Sequence, residues 1–254
     1  MNVLFSLNRL FHSPVSKLAS VFLITLSAPL VSTAQNRGAA VAKTIEVPTY
    51  RVGGTLIAIP QPTRDFVETD SDNRKLLEVG VPDSNRLVAA FVLTNDLTSL
   101  KSGSNQKLSR YAMVEVQRNS EFADFSASDF KGMTDSASKE LGSLITSTSS
   151  TKETEDEFNR KVEALHLDAK VSLDKPVSLG CLFSKQDAYG FGMLMAFTSH
   201  GTTTNMINGT ALVRIKNRLV FAYVYAVYRD QDSLQWVRKV TENWADAILQ
   251  ANQQ

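Results

Sequence analysis

The sequence predicts an α+β fold in which a largely antiparallel sheet is covered by helices, an α/β/α layered sandwich. Three observations predict it. The uncharged run LVFAYVYAVY, Leu219 to Tyr228, is apolar on both sides of a strand: Leu219, Phe221, Tyr223, Tyr225 and Val227 on one, Val220, Ala222, Val224, Ala226 and Tyr228 on the other. Two stretches, Phe130 to Ile145 and Leu234 to Ala251, repeat apolar residues at steps of three and four, so each carries one helical stripe. Strand-like runs fill most of the chain after Val177 at a spacing suited to hairpins. A strand apolar on both faces must be covered twice. Its Val and Ala side lets a helix approach closely, while the aromatic side fills a thicker layer. As a spanning helix, the same ten residues would rise only about 15 Å, half of a bilayer's hydrocarbon thickness. Outer-membrane strands alternate apolar with polar residues, which this run does not.

In chain order, Arg9 and Lys17 precede an uncharged stretch from Leu18 to Val31 that ends in Ser32, Thr33 and Ala34. That pattern predicts a secretory signal over 1–34, cleaved between Ala34 and Gln35. A retained anchor is the rival, but the stretch is short against the roughly 20 apolar residues a spanning helix needs. A flexible leader is expected over 35–51 and a single α+β domain over 52–254. GGTLIAIPQP from Gly53 suggests an opening strand stopped by Pro60 and Pro62. Asp72 to Val79 suggests a short helix. Arg86 to Thr94 and Arg110 to Gln117 are strands, the second wet on part of one face because Glu115 interrupts it. Ser126 to Asp129 offers a capping start for the central helix. The run TSTSSTKETEDE, Thr146 to Glu157, holds nothing apolar and suggests a solvated joint between two helices, with one long helix as the alternative. Val177 to Ser184, Tyr189 to Ser199, Asn208 to Lys216 and Leu219 to Tyr228 are the later strands, and Ser233 to Ala251 the terminal helix.

Composition narrows the function. The whole chain carries 27 basic and 26 acidic residues, and loss of the signal leaves 25 against 26. That near-neutrality argues against nucleic acid, whose binding needs clustered positive charge. Cys181 stands alone, so no intramolecular disulfide forms; a small buried hydrophobe in a strand is the expected role. Asp70 and Asp72 begin like a calcium loop, but Arg74, Lys75 and Val81 occupy positions that need ligands or glycine. No metal or cofactor is expected. Glu153, Asp156 and Glu157 share a helical face and suggest a solvated surface. Gly190 and Gly192 lack the rest of a dinucleotide loop and suggest a bulge or a close backbone contact.

Two surfaces remain as candidates for ligand or partner. His200 lies in the polar loop SHGTTTN with Thr202 and Thr204; His166 sits at a helix end and His12 leaves with the signal. Arg214 and Lys216 share a strand face by the two-residue period, and Arg218 crosses the turn beside them, a cluster able to hold an anion or an acidic partner. No catalytic set converges. The expected function is therefore an exported, periplasmic or secreted, non-enzymatic accessory or binding protein. Its partner would be an envelope protein or a small ligand, with no integral membrane segment in the mature chain. The alternative is a secreted hydrolase using the His200 loop.

GGTLIAIPQPTRDF, the central helix, and LVFAYVYAVYRD leading to the helix with Trp236 and Trp244 together resemble the PsbP-like fold. That group includes photosystem II accessory proteins and a Ran-binding nuclear import factor. The text is also similar to an uncharacterised exported proteobacterial family ending in W-x-x-x-I-x-x-A-N, here Trp244, Ile248, Ala251 and Asn252. The resemblance covers residues 50–252 and implies an accessory or binding module. It carries no catalytic signature, and the polar run Thr146 to Glu157 departs from it.

Overall fold

The computed structural model describes residues 47–101, 108–145, 148–165 and 170–253. The expected signal, its cleavage site Ala34 and Gln35, residues 35–46 of the leader and His166 lie outside them. The described residues open with a hairpin, β1 (Thr49–Val52) and β2 (Thr55–Ala58), which forms a two-stranded sheet of its own. Ordered structure thus begins inside the span expected to be leader. The turn is Gly53-Gly54, both with positive φ, and a Cβ on Gly53 would lie 2.1 Å from the Glu121 carbonyl oxygen.

The main sheet has eight strands and is antiparallel throughout: β3 (Phe66–Glu68), β4 (Asn85–Leu93), β5 (Arg110–Gln117), β10 (Arg218–Val227), β9 (Thr202–Ile215), β8 (Ala188–Ser199) and β6 (Val171–Leu173), in that order, with β7 (Val177–Ser184) also paired to β8. The uncharged run is the inner strand β10, in register with β5 (Phe221 opposite Glu115) and with β9 (Tyr223 opposite Thr210). Helices complete the chain: α1 (Ser71–Val79) after β3, α2 (Thr94–Lys101) after β4, α3 (Ala127–Ile145) and α4 (Thr148–Ala164) before β6, and α5 (Gln231–Ala251) last.

The two faces of β10 meet different layers, as its two sets of side chains require. Leu219, Phe221, Tyr223 and Tyr225 join one core cluster with Leu77 of α1, Phe130, Met133 and Ala137 of α3, and Phe158 and Val162 of α4. Tyr111 and Tyr225 stack there, centroids 4.4 Å apart. Val220, Ala222 and Val224 join the opposite cluster, under Val240, Trp244, Ala245 and Ile248 of α5. Burying each such large side chain contributes on the order of 1.5–3 kcal/mol.

Close approach of α5 depends on Gly209 of β9, where a Cβ would lie 2.2 Å from Thr241 Oγ1 and 2.8 Å from Val237 Cγ1. Gly209→Val is expected to destabilise the fold by about 1–3 kcal/mol through overpacking, read as a lower denaturation midpoint. Gly190 has the same character, its Cβ position filled by the Phe183 ring at 2.2 Å, and β7 is bulged beside it. Trp244 and Asn252 fasten α5 to the opening hairpin and the residues just after it: Trp244 Nε1 donates to Pro60 O at 2.7 Å, and the Asn252 amide exchanges hydrogen bonds with both backbone groups of Ala58.

The caps follow the sequence. Asp70, which resembles the start of a calcium loop, accepts from Asn73 N at 3.0 Å as the N-cap of α1. Ser126 and Asp129 cap α3 reciprocally, Ser126 N donating to Asp129 Oδ2 and Asp129 N to Ser126 Oγ.

Four expectations are corrected. β5 is not wet: Tyr111 to Gln117 are all buried, because the α1–α3–α4 layer covers Glu115 as well. The run Thr146 to Glu157 is not a solvated joint; from Thr148 it is α4, whose polar groups bind neighbours, Glu155 accepting from Leu173 N at 2.8 Å. Residues 146–147 lie outside the described residues. Cys181 is exposed, on the edge strand β7 where a register shift separates it from the buried Leu182 and Phe183. Lys216 is not on a strand; it and Asn217, both at positive φ, form the two-residue turn between β9 and β10.

Candidate functional site

The residues singled out by sequence fall at opposite ends of the sheet. His200 and Gly201, with φ of 50° and 74°, form the tight turn joining β8 to β9, and His200, Thr202 and Thr203 are exposed there. Thr204 follows on β9, roughly 33 Å along that strand from Arg214 at about 3.3 Å per residue. The threonines and the basic cluster share no rim. Arg214 is held by Asp187, with Nε to Oδ1 at 2.8 Å. Arg218 donates to the Phe122 and Ala123 carbonyls and to Asp124 Oδ1, while Lys216 Nζ reaches Leu56 O at 3.2 Å. Both guanidiniums are committed to holding neighbouring loops.

At that same end of the sheet, the start of β4 and the end of β5 open beside α1 and α4 into a polar cleft of about 270 Å³. Its wall includes Asp83, Asn85, Arg86, Arg118 and Lys161. Most of these charges are already paired. Arg86 makes a fork to both carboxylate oxygens of Glu121, at 3.1 and 2.5 Å, and that contact, with the Gly53 N–H, holds Glu121 below the usual carboxylate range. Lys161 Nζ donates to Val81 O and bridges Asp83 and Glu157 at 2.9 and 3.0 Å. Arg160 pairs with Asp83 at 2.7 Å, and Glu78 lies 3.4 Å from Arg74. Arg118 differs: it is exposed, its backbone N–H is fixed to Ser84 O at 2.9 Å, and its guanidinium has no hydrogen bond or ion pair among the described residues.

Behind this wall sits a buried carboxyl. Glu115 of β5 is 1% exposed, and Asn85, a wall residue, donates Nδ2 to its Oε2 at 2.8 Å. Burial raises Glu115 to about 7, against the opposing pull of the Asn85 bond and of the Lys161 charge. Across the strand pair, burial and the Glu115 charge push Tyr223 well up; its hydroxyl has no hydrogen-bond partner among the described residues. Sequence reasoning named none of the cleft residues Asp83, Asn85, Arg86, Arg118 and Lys161 as candidates, nor Glu115 behind them, and it read Glu157 as part of a solvated face although its side chain is mostly covered. The signal for Glu115 was an acid inside a strand whose neighbours are all apolar, which suits a buried carboxyl as well as a wet face. Glu157 carries no such signal, since its partners Asp83 and Lys161 are set by the docking of α4.

Among the described residues no group of three or more His, Cys, Asp or Glu is placed to hold a metal ion, and no helix is long and apolar enough to cross a membrane. What the fold and cleft define is a layered α+β domain with one sheet end rich in paired charge. No protein-family model matches the chain, and no curated protein matches it. Among solved structures it is similar to the Ran-binding protein Mog1p of Saccharomyces cerevisiae, 13% identical over 79% of this chain and 88% of that one, with a TM-score of 0.28. It is similar also to a mutant of Mog1, 12% identical over 80% and 90%, with a TM-score of 0.26. Likenesses at that level carry neither fold nor partner to this chain.

Proposed function

We propose that this chain is an exported accessory or binding domain, periplasmic or secreted, that acts by recognition rather than turnover, with the cleft between β4, β5 and α4 as its recognition site. The observation that carries the reading is the gathering of polar side chains around one concave site, with Asn85 tying the wall to a buried carboxyl. The signal-like segment ahead of Gln35 supports export, and the resemblance of the sequence to the PsbP-like fold supports the same class. His200 lies on the turn at the far end of the sheet, away from this cleft. The test is cell fractionation of the full chain with mass measurement of the product. The reading expects a mature protein beginning at Gln35 outside the inner membrane; an unprocessed chain in the cytosol contradicts it.

A further inference from the structure

We propose that the cleft takes a small oxyanion, a carboxylate or a phosphate group, with the Arg118 guanidinium as its principal contact. The proposal rests on the binding reading above and names the ligand chemistry of that same site. It follows from which charges are spent. Arg86 is satisfied by Glu121, Lys161 by Glu157 and Asp83, Glu78 by Arg74, and Asp83 also by Arg160. Any ligand group competing for those side chains has to displace an existing partner. Arg118 alone among the charged wall residues makes no side-chain hydrogen bond or ion pair among the described residues; its charge acts on Glu121 from beyond ion-pair distance, and Glu121 is already held by Arg86, so an anion meets Arg118 without breaking an ion pair.

Position and size restrict the ligand further. The Arg118–Ser84 backbone bond and the Asn85–Gln117 register fix the root of the side chain at the end of the β4–β5 ladder. A planar guanidinium matches carboxylate and phosphate oxygens two at a time, which a solvated ammonium does not. The volume, about 270 Å³, is under the roughly 300–1,000 Å³ of sites for drug-sized ligands, so a small molecule is called for.

The experiment is two-dimensional NMR of the full-length protein as processed by its producing cell, titrated separately with succinate, inorganic phosphate and uncharged glucose. Saturable shifts of the Arg118 Nε–H and of the Asp83 and Asn85 amides are expected with succinate, with phosphate, or with both, and the responding arm identifies the oxyanion. Arg118→Gln should weaken binding at least about tenfold, the loss of a charge-assisted contact. Lys239→Gln, an equal charge change on exposed α5 across the sheet, should leave affinity unchanged. Equal affinity in Arg118→Gln, or shifts that never saturate, would overturn the proposal. Saturable glucose binding without either oxyanion would overturn it while leaving the binding reading in place. Silence of the cleft signals toward all three probes would remove the support of both.

Discussion

Trp244→Ala is expected to destabilise the protein by about 3–5 kcal/mol, the usual effect of deleting a large buried aromatic. Trp244 is 0% exposed at the centre of the α5 face, with its ring edge against Phe91 at 5.8 Å and 90°. Truncation leaves a cavity between α5 and β4, and it also strips the Pro60 carbonyl of the Nε1–H donor 2.7 Å away. The two losses reinforce each other, because the opening hairpin and the residues just after it are tied to α5 through this bond and through Asn252. Trp244→Phe keeps most of the volume and loses the donor, so an intermediate drop is expected. Equilibrium denaturation of both variants measures this. A loss under about 1 kcal/mol for Trp244→Ala would mean that α5 does not seal the sheet.

Glu115→Gln is expected to stabilise the protein above neutral pH. The folded-state value of about 7 lies above the ordinary 4.5, so the native state holds this proton more tightly than the unfolded chain does. Stability from this group is complete below about pH 4.5, declines as pH rises from there, and is lost by about pH 7 and beyond. A difference of that size corresponds to roughly 3 kcal/mol at pH 8, since each unit is worth about 1.4 kcal/mol. Gln keeps an oxygen for the Asn85 donor and removes the charge. The wild type should therefore weaken between pH 5 and 8 relative to the variant, with the two curves meeting near pH 4. Parallel curves across that range would show that the Glu115 carboxyl is solvated.

Much of the fold was legible because hydrophobic periodicity reports burial directly. The two-sided apolar pattern of Leu219 to Tyr228 is enough to require two layers, and its Val/Ala side does take the close approach of one helix, α5, while its aromatic side meets the layer of α1, α3 and α4. Capping was legible for the same local reason, at Ser126 and Asp129. What stayed hidden depends on partners distant in sequence. β9 begins at Thr202, well before its apolar part, because pairing with β8 across a tight turn extends a polar segment that has no strand signature. β3 and β6 have three residues each, too few for a period, and α2 has no strong apolar stripe to announce it.

The candidate site was less legible still. Arg214, Lys216 and Arg218 were found by spacing, and they do lie at the sheet end that holds the cleft, yet spacing cannot show that Asp187, the Leu56 carbonyl and Asp124 already engage them. Arg118 stands out only once every other wall charge has been given its partner, which needs α4 docked against the loop around Asp83.

Amide hydrogen exchange of β10 tests the central claim most directly, namely that this strand is closed by helices on both faces. Amides from Val220 to Ala226 are bonded to β5 and β9 and lie inside both layers, so they should exchange only through global unfolding, the slowest in the protein. Those of the edge strand β7 should exchange far faster. If the β10 amides exchange at the rate of β7, the strand is not covered twice and the architecture that positions the cleft is wrong.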